Sequence, residues 1–196
     1  TASSVLRDRG IARTTINKLL ARALIKTIDV RNRTPWDQNP ITVSNELTLN
    51  QEQQVAFDTI TKHQGFGVFL INGVTGSGKT EVYLQLIHHC LKKKQQALIL
   101  VPEINLTPQT FNRFYNRFNV PVVSIHSAMN NTERLEAFLR IKNNEAAILI
   151  GTRSAIFAEI PNLGIIVIDE EHDSSYRQGD GFLYHCRDLA IMRARA

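Results

Sequence analysis

Residues 73–80 read Gly-Val-Thr-Gly-Ser-Gly-Lys-Thr and fit the pattern GxxxxGK[ST]. That spacing suits a bound phosphate. The glycines let the backbone turn with its N–H groups pointing inward, around an anion. A helix starting at Lys79 would add the positive end of its dipole. Lys79 brings a mobile point charge for the β- and γ-phosphates, and the Thr80 hydroxyl suits Mg²⁺. The expected nucleotide contacts are Gly73, Val74, Thr75, Gly76, Ser77, Gly78, Lys79 and Thr80.

A second constellation is acidic. Ile165, Ile166, Val167 and Ile168 run straight into Asp169, Glu170, Glu171 and His172. A buried strand that ends in carboxylates is the expected second half of a nucleotide-hydrolysing site. Asp169 would hold Mg²⁺, through water, and Glu170 would polarise the attacking water as general base. Neighbouring carboxylates repel each other unless a cation intervenes. Without the phosphate loop upstream, the same residues would read as a solvated acidic loop. Spacing alone does not divide the two roles between the carboxylates.

Strands and helices must bring these segments together. From residue 47 onward, short apolar runs alternate with helical periodicity. Strands are expected at 67–71, 97–101, 120–125, 146–150 and 164–168. Helices are expected at 50–62, 79–94, 107–118, 132–141 and 184–196. Such alternation implies a parallel sheet with helices on both faces.

The first 34 residues differ. Ile16, Leu19, Leu20, Ala23 and Leu24 recur at helical spacing over 12–25, with Arg13, Lys18 and Arg22 off that stripe. Gly10 breaks a shorter helix ahead, and 24–31 has strand character. This is the outline of a partial winged-helix segment. Residues 35–46, with Pro35, Trp36, Asn39 and Pro40, read as a linker.

The chain of 196 residues carries a formal charge of +5 and 43% hydrophobic residues, enough for a sizeable core. Residues 1–35 hold eight basic side chains and two acidic ones, so the positive surplus sits there. A solvated basic face or contact with nucleic acid would both explain it. Cys90 and Cys186 are far apart and form no CxxC, so these two thiols alone build no zinc site or disulfide framework. A reducing, cytoplasmic setting is the simplest expectation. No apolar run is long enough to span a bilayer, and no signal peptide is visible. The first residue is Thr, so a native start is expected upstream.

The motifs together resemble superfamily 2 helicases, and within them the primosomal replication-restart DNA helicases. Asp169-Glu170-Glu171-His172 resembles a DEAH-like box. The run from Val101 through Pro102, Glu103, Ile104, Asn105, Leu106, Thr107 and Pro108 to Gln109 is similar to motif Ia of that family. Ile125-His126-Ser127 also matches, as does the run Gly151, Thr152, Arg153, Ser154, Ala155, Ile156, Phe157, Ala158. So do Ser175-Tyr176-Arg177-Gln178 and the stretch from Tyr184 to Ala190. The resemblance covers residues 47–196 closely and 1–33 loosely.

The resemblance implies a RecA-like parallel α/β sheet over 47–196, the first lobe of an ATP- and Mg²⁺-dependent motor. It gives Asp169 and Thr80 the metal and Glu170 the water. Leu49–Gln53 matches the segment before the phosphate loop in RecG-like helicases, which makes Gln53 the expected adenine reader. Pro102, Thr107, Thr152, Arg153 and Ser154 become contacts to a single-stranded DNA backbone. Tyr176, Phe182 and Tyr184, around Gly179-Asp180-Gly181, become rings on which bases stack; otherwise they pack inward. Implied partners are single-stranded and forked DNA and the primosome and replication-restart proteins, with 3′-to-5′ unwinding and no membrane. The family also carries a second lobe, an arginine finger and a zinc module, none of which is complete in this chain. Two other readings remain: a nucleotide-dependent protein-binding switch without translocation, and a small-molecule phosphotransferase, which the acidic box disfavours.

Overall fold

A computed structural model describes residues 12–22, 24–25, 34–38, 40–44, 46–105 and 108–196. Contacts divide the chain into units 1–33 and 34–196. In the first, helix α1 (Arg13–Ala21) leaves Ile16, Leu19 and Leu20 partly buried and Lys18 and Arg22 exposed. The strand expected over 24–31 and the short helix before Gly10 lie outside the described residues, apart from Leu24 and Ile25.

The second unit is built on four parallel strands. These are β1 (Gln96–Leu100), β2 (Val122–Ile125), β3 (Ile148–Gly151) and β4 (Leu163–Ile168), in the order β2-β3-β1-β4. β1 is buried at every position because it lies between β3 and β4 and under helices on both faces. Alternate residues serve opposite faces. Ala97, Ile99, Ile148 and Ile150 pack with Tyr83, Leu84, Ile87 and Leu91 of helix α3 (Lys79–Lys92) and Phe114 of helix α4 (Pro108–Arg117). Leu98, Leu100 and Leu149 pack with Ala137 and Ile141 of helix α5 (Asn131–Lys142) and Ala190 of helix α6 (Cys186–Arg195). This is the RecA-like α/β layering expected from the sequence. A two-stranded antiparallel hairpin, β5 (Arg177–Gln178) and β6 (Tyr184–His185), precedes α6.

Local chemistry sets the helix starts. Asn50 and Gln53 form a reciprocal capping box at helix α2 (Gln51–Lys62), and Asn130 and Glu133 form another at α5. Among the described residues, no helix is long and apolar enough to cross a membrane.

Two expectations need correction. Residues 67–71 form no strand, and Val68, Phe69 and Leu70 are exposed. An apolar run becomes a strand only where a ladder partner and a covering layer exist, and among the described residues β4 pairs only with β1. The described residues of 35–46, expected as a linker, form a strap on the second unit. Trp36 is 3% exposed and donates its indole N–H to Asn144 Oδ1 at 2.8 Å. Val43 bridges Phe118, and Asn119 bonds Thr42 N and Pro40 O. A buried aromatic with a satisfied N–H outweighs the proline and asparagine content.

Gln96 is a fully buried polar side chain at the other edge of the sheet. Its Nε2 donates to the carbonyls of Ile141 (2.9 Å) and Ala146 (2.8 Å), and its Oε1 accepts from Asn162 N (3.2 Å). Gln96→Leu keeps the volume and strands those partners. Denaturant unfolding is expected to register a loss of about 2 kcal/mol or more, the usual penalty for orphaned buried groups. A loss under about 0.5 kcal/mol would mean that the end of α5 and the segments at Ala146 and Asn162 need no such tie.

Candidate active site

Register makes the site. Leu100 pairs with Gly151 and with Ile168, and Ile125 pairs with Gly151, so β1 to β4 end level with one another. The segments that follow them therefore emerge side by side at the carboxyl edge, the usual binding edge of an open parallel sheet. They are Val101–Asn105, His126–Ser127, Thr152–Phe157 and Asp169–Glu171. Ser127 Oγ donates to Glu103, which ties two of these segments together.

The phosphate loop turns as its glycines demand. Gly76 (φ +83°) and Gly78 (φ +81°) lie in the left-handed region, and Gly78 caps α3. Lys79 Nζ folds back onto the carbonyls of Gly73 (2.6 Å) and Val74 (3.1 Å). Gln53 lies against the loop: Nε2 donates to Ser77 O at 2.9 Å, while Oε1 accepts from Asn50 N at 2.9 Å. Both ends of its amide are thus engaged.

The acidic tip continues β4. Asp169 N donates to Leu100 O at 2.9 Å, and Glu170 adopts φ +49°, a conformation that costs a non-glycine residue about 1–2 kcal/mol. Burial, followed by the charge of Glu170, raises the Asp169 carboxyl above the usual range. Glu171 is paired with Arg187 at 3.2 Å, and His172 faces Glu170 at 3.6 Å on the surface.

Tyr83, a residue the sequence reading did not single out, joins the two halves. It is one turn along α3 from Lys79 and 7% exposed. Its hydroxyl lies 3.5 Å from Asp169 Oδ2. Burial, then the Asp169 charge, pushes the phenol up to about 12, so it stays a neutral donor. The signal in the sequence is its position four residues after Lys79, on the inward stripe of α3.

Among the described residues, no group of three or more His, Cys, Asp or Glu could cage a metal. Thr80 offers one hard oxygen ligand and Asp169 a carboxylate for a metal-bound water, which fits Mg²⁺: that ion keeps several waters and takes its other ligands from phosphates. Burial raises both thiols to about 12, so Cys90 and Cys186 are inert packing groups.

The residues expected to hold a strand divide. Phe182 is 72% exposed, with its ring 5.9 Å from that of half-buried Tyr184 at a tilt of 33°, and Tyr184 meets Phe157 edge-to-face at 5.2 Å. Thr152 and Ser154 are partly exposed. Thr107 lies outside the described residues. Three expectations are corrected by packing. Pro102 is buried, and its carbonyl accepts from Asn105 N at 2.9 Å. Arg153 is partly exposed, and its Nη1 is taken by the backbone, donating to Ser175 O (2.9 Å) and Arg177 O (2.7 Å). Tyr176 is fully buried and offers no face to a base.

Comparison with known proteins agrees with this geometry. The sequence model of the DEAD/DEAH box helicase family matches residues 50–195, and the chain belongs to that family. Family membership implies use of ATP and Mg²⁺. Within it, the chain is 51% identical over 183 residues to Replication restart protein PriA of Haemophilus influenzae, covering 90% of this chain and 25% of that protein. It is 41% identical over 197 residues to Replication restart protein PriA of Bacillus subtilis, covering 98% of this chain and 24% of that protein. The chain thus spans about a quarter of the length of these curated relatives. In fold it is similar to RecG, solved bound to a three-way DNA junction, with TM-score 0.58 and 23% identity over 76% of this chain and 23% of that one.

Gly78 gives a direct test of the loop. A Cβ there would lie 2.4 Å from Gln53 Nε2, in a backbone conformation that L side chains rarely adopt. Strain of about 1–3 kcal/mol is expected in Gly78→Ala. Titration with a fluorescent ATP analogue should report at least about ten-fold weaker binding. Wild-type affinity in that variant would remove Gly78 from the phosphate cradle.

Proposed function

We propose that this chain is the nucleotide-binding lobe of an ATP-dependent DNA helicase acting in replication restart and primosome assembly, with 3′-to-5′ movement. The observation that carries the reading is the contact of α3 with the acidic tip through Tyr83 and Asp169. It supports a shared site for the phosphate loop and the carboxylate read as the Mg²⁺ holder. The similarity to Replication restart protein PriA from two bacteria supports the particular process.

Bound Mg²⁺ would neutralise charge on the β- and γ-phosphates. The protein's own residues do the rest. Lys79 leaves the Gly73 and Val74 carbonyls for the phosphate oxygens. Thr80 and Asp169 hold the metal, Asp169 through water. Glu170 orients the attacking water and takes its proton. Gln53 reads adenine by exchanging its contacts to Asn50 N and Ser77 O for the base edge. Thr152 and Ser154 offer hydroxyl donors to strand phosphates, and Phe182 and Tyr184 offer rings to bases.

In the full-length protein, single-stranded DNA is expected to stimulate ATPase with strong salt dependence. Lys79→Ala should abolish turnover by losing nucleotide, and Glu170→Gln should abolish it while keeping nucleotide bound. Nucleotide-gated binding of a protein without DNA stimulation would favour a binding switch instead. Phe182→Ala should weaken the stimulation by the loss of about 1–3 kcal/mol of stacking, with nucleotide affinity intact. Unchanged stimulation would remove Phe182 from the strand path. The 196-residue chain alone is expected to turn over ATP slowly, because a motor of this kind completes its site with a second lobe. Brisk hydrolysis by the isolated chain would contradict that.

A further inference from the structure

A nucleotide is long, and the groups that read its two ends come from different helices. Gln53 lies in the first turn of α2, whereas Lys79 and Thr80 open α3. The two helix starts are joined directly where Gln53 Nε2 donates to Ser77 O at 2.9 Å. That bond is the one Gln53 gives up when its amide turns to adenine. Another contact must then keep the base reader at its distance from the phosphate cradle.

The backbone of Leu47 supplies it. The Leu47 carbonyl accepts from Gln85 Nε2 at 2.8 Å, and the Leu47 N–H donates to Glu81 Oε1 at 3.3 Å. Gln85 Nε2 also donates to Glu81 Oε1 at 3.0 Å, so the two side chains form one clamp. Glu81 directly follows Thr80, and Gln85 stands one turn further along α3. The Leu47 side chain is 64% exposed and contributes little packing, so the clamp holds this residue by its main chain. Asn50 lies three residues on, and its Oδ1 accepts from Gln53 N at 2.9 Å, a bond that reading a base leaves intact.

The clamp is itself anchored. Glu81 pairs with Arg117, and their side chains are only 11% and 5% exposed. Arg117 Nη1 donates to Ser44 O at 3.3 Å, and the Arg117 carbonyl accepts from Ser44 N at 3.0 Å. Further along, α2 and α3 meet through the rings of Phe57 and His89, 6.2 Å apart and edge-to-face. The end of this helix pair that carries the nucleotide groups is therefore tied by hydrogen bonds, which tolerate little change in distance or angle.

We infer that Gln85 is a positioning residue: with Glu81 it clamps Leu47 and so sets the adenine reader at a fixed distance from the phosphate loop. The clamp then determines base specificity without touching the base. The inference rests on the reading of Gln53 given above.

Gln85→Met in the full-length protein is the test, because it keeps the helix and the side-chain length and removes both donations. It also leaves the buried Glu81–Arg117 pair whole. Affinities are measured with Mg²⁺ for ATP, for GTP and for inorganic tripolyphosphate, which engages the cradle alone. Guanine presents the reverse donor and acceptor pattern to an amide fixed in place. The preference for ATP over GTP should fall about five-fold or more, while tripolyphosphate affinity moves less than about two-fold. The melting temperature should stay within about 3 °C of wild type. In a Gln53→Ala background, Gln85→Met should change the preference less than about two-fold, because both act through one reader.

A Gln85→Met protein with wild-type preference overturns the inference. So does equal weakening of all three ligands, or an undiminished effect in the Gln53→Ala background. In each case a Gln53→Ala protein that has lost the preference leaves the adenine reader standing. Wild-type preference in Gln53→Ala, or a wild-type protein that binds GTP as tightly as ATP, overturns both.

Discussion

The backbone bond from Asp169 N–H to the Leu100 carbonyl, 2.9 Å long, is the interaction on which the site depends. It extends the β1–β4 ladder by one residue, so the chain leaves the sheet with its first carboxylate beside the end of β1. The parallel register does the remaining alignment. With Leu100 level with Gly151 and Ile168, every motif after a strand appears on one edge. A one-residue slip of β4 would turn Asp169 to the other face of the sheet and break its contact with Tyr83.

A buried ion pair holds the helix that carries the phosphate loop. Glu81, two residues beyond Lys79, pairs with Arg117 at the end of α4, and both side chains are buried. Glu81 Oε1 also accepts from Gln85 Nε2 (3.0 Å) and Leu47 N (3.3 Å), and Arg117 donates to Ser44 O at 3.3 Å. Burying two charges costs solvation that their attraction only partly returns, so such a pair is better read as fixing a geometry than as adding stability. Here the geometry fixed is that of α3 against α4 and the strap that runs past them. The phosphate loop is therefore mounted on a helix held at both its polar and its apolar faces.

Much of this was legible in the sequence because its causes are local. The glycines of 73–80 turn the chain wherever they stand, and Asn50 and Asn130 cap helices with side chains three residues away. The alternating strands and helices follow from periodicity, and the acidic tip from its place after β4. What escaped reading depends on tertiary partners. Tyr176 and Phe182 are both aromatics beside one loop, yet one is fully buried and the other 72% exposed, and only packing against Leu98, Leu100 and Cys186 separates them. Arg153 looked like a phosphate contact because its type suits one; the carbonyls of Ser175 and Arg177 claim it first. Trp36 sits among prolines and asparagines but finds Asn144, 108 residues away, for its indole. The run 67–71 has strand composition without a strand beside it. Tyr83 follows the inward stripe of α3 and would have passed as core without the carboxylate opposite it.

The central claim is that the loop at Lys79 and the tip at Asp169 enclose one nucleotide–metal complex. A crystal structure of the full-length protein with Mg²⁺ and a non-hydrolysable ATP analogue tests it most directly. The account predicts a metal bound by Thr80 Oγ1 and two phosphate oxygens, with Asp169 bonded to one of its waters and Lys79 on the β- and γ-phosphates. A nucleotide seated away from residues 73–80, or a metal without Asp169 in reach of its waters, would contradict it.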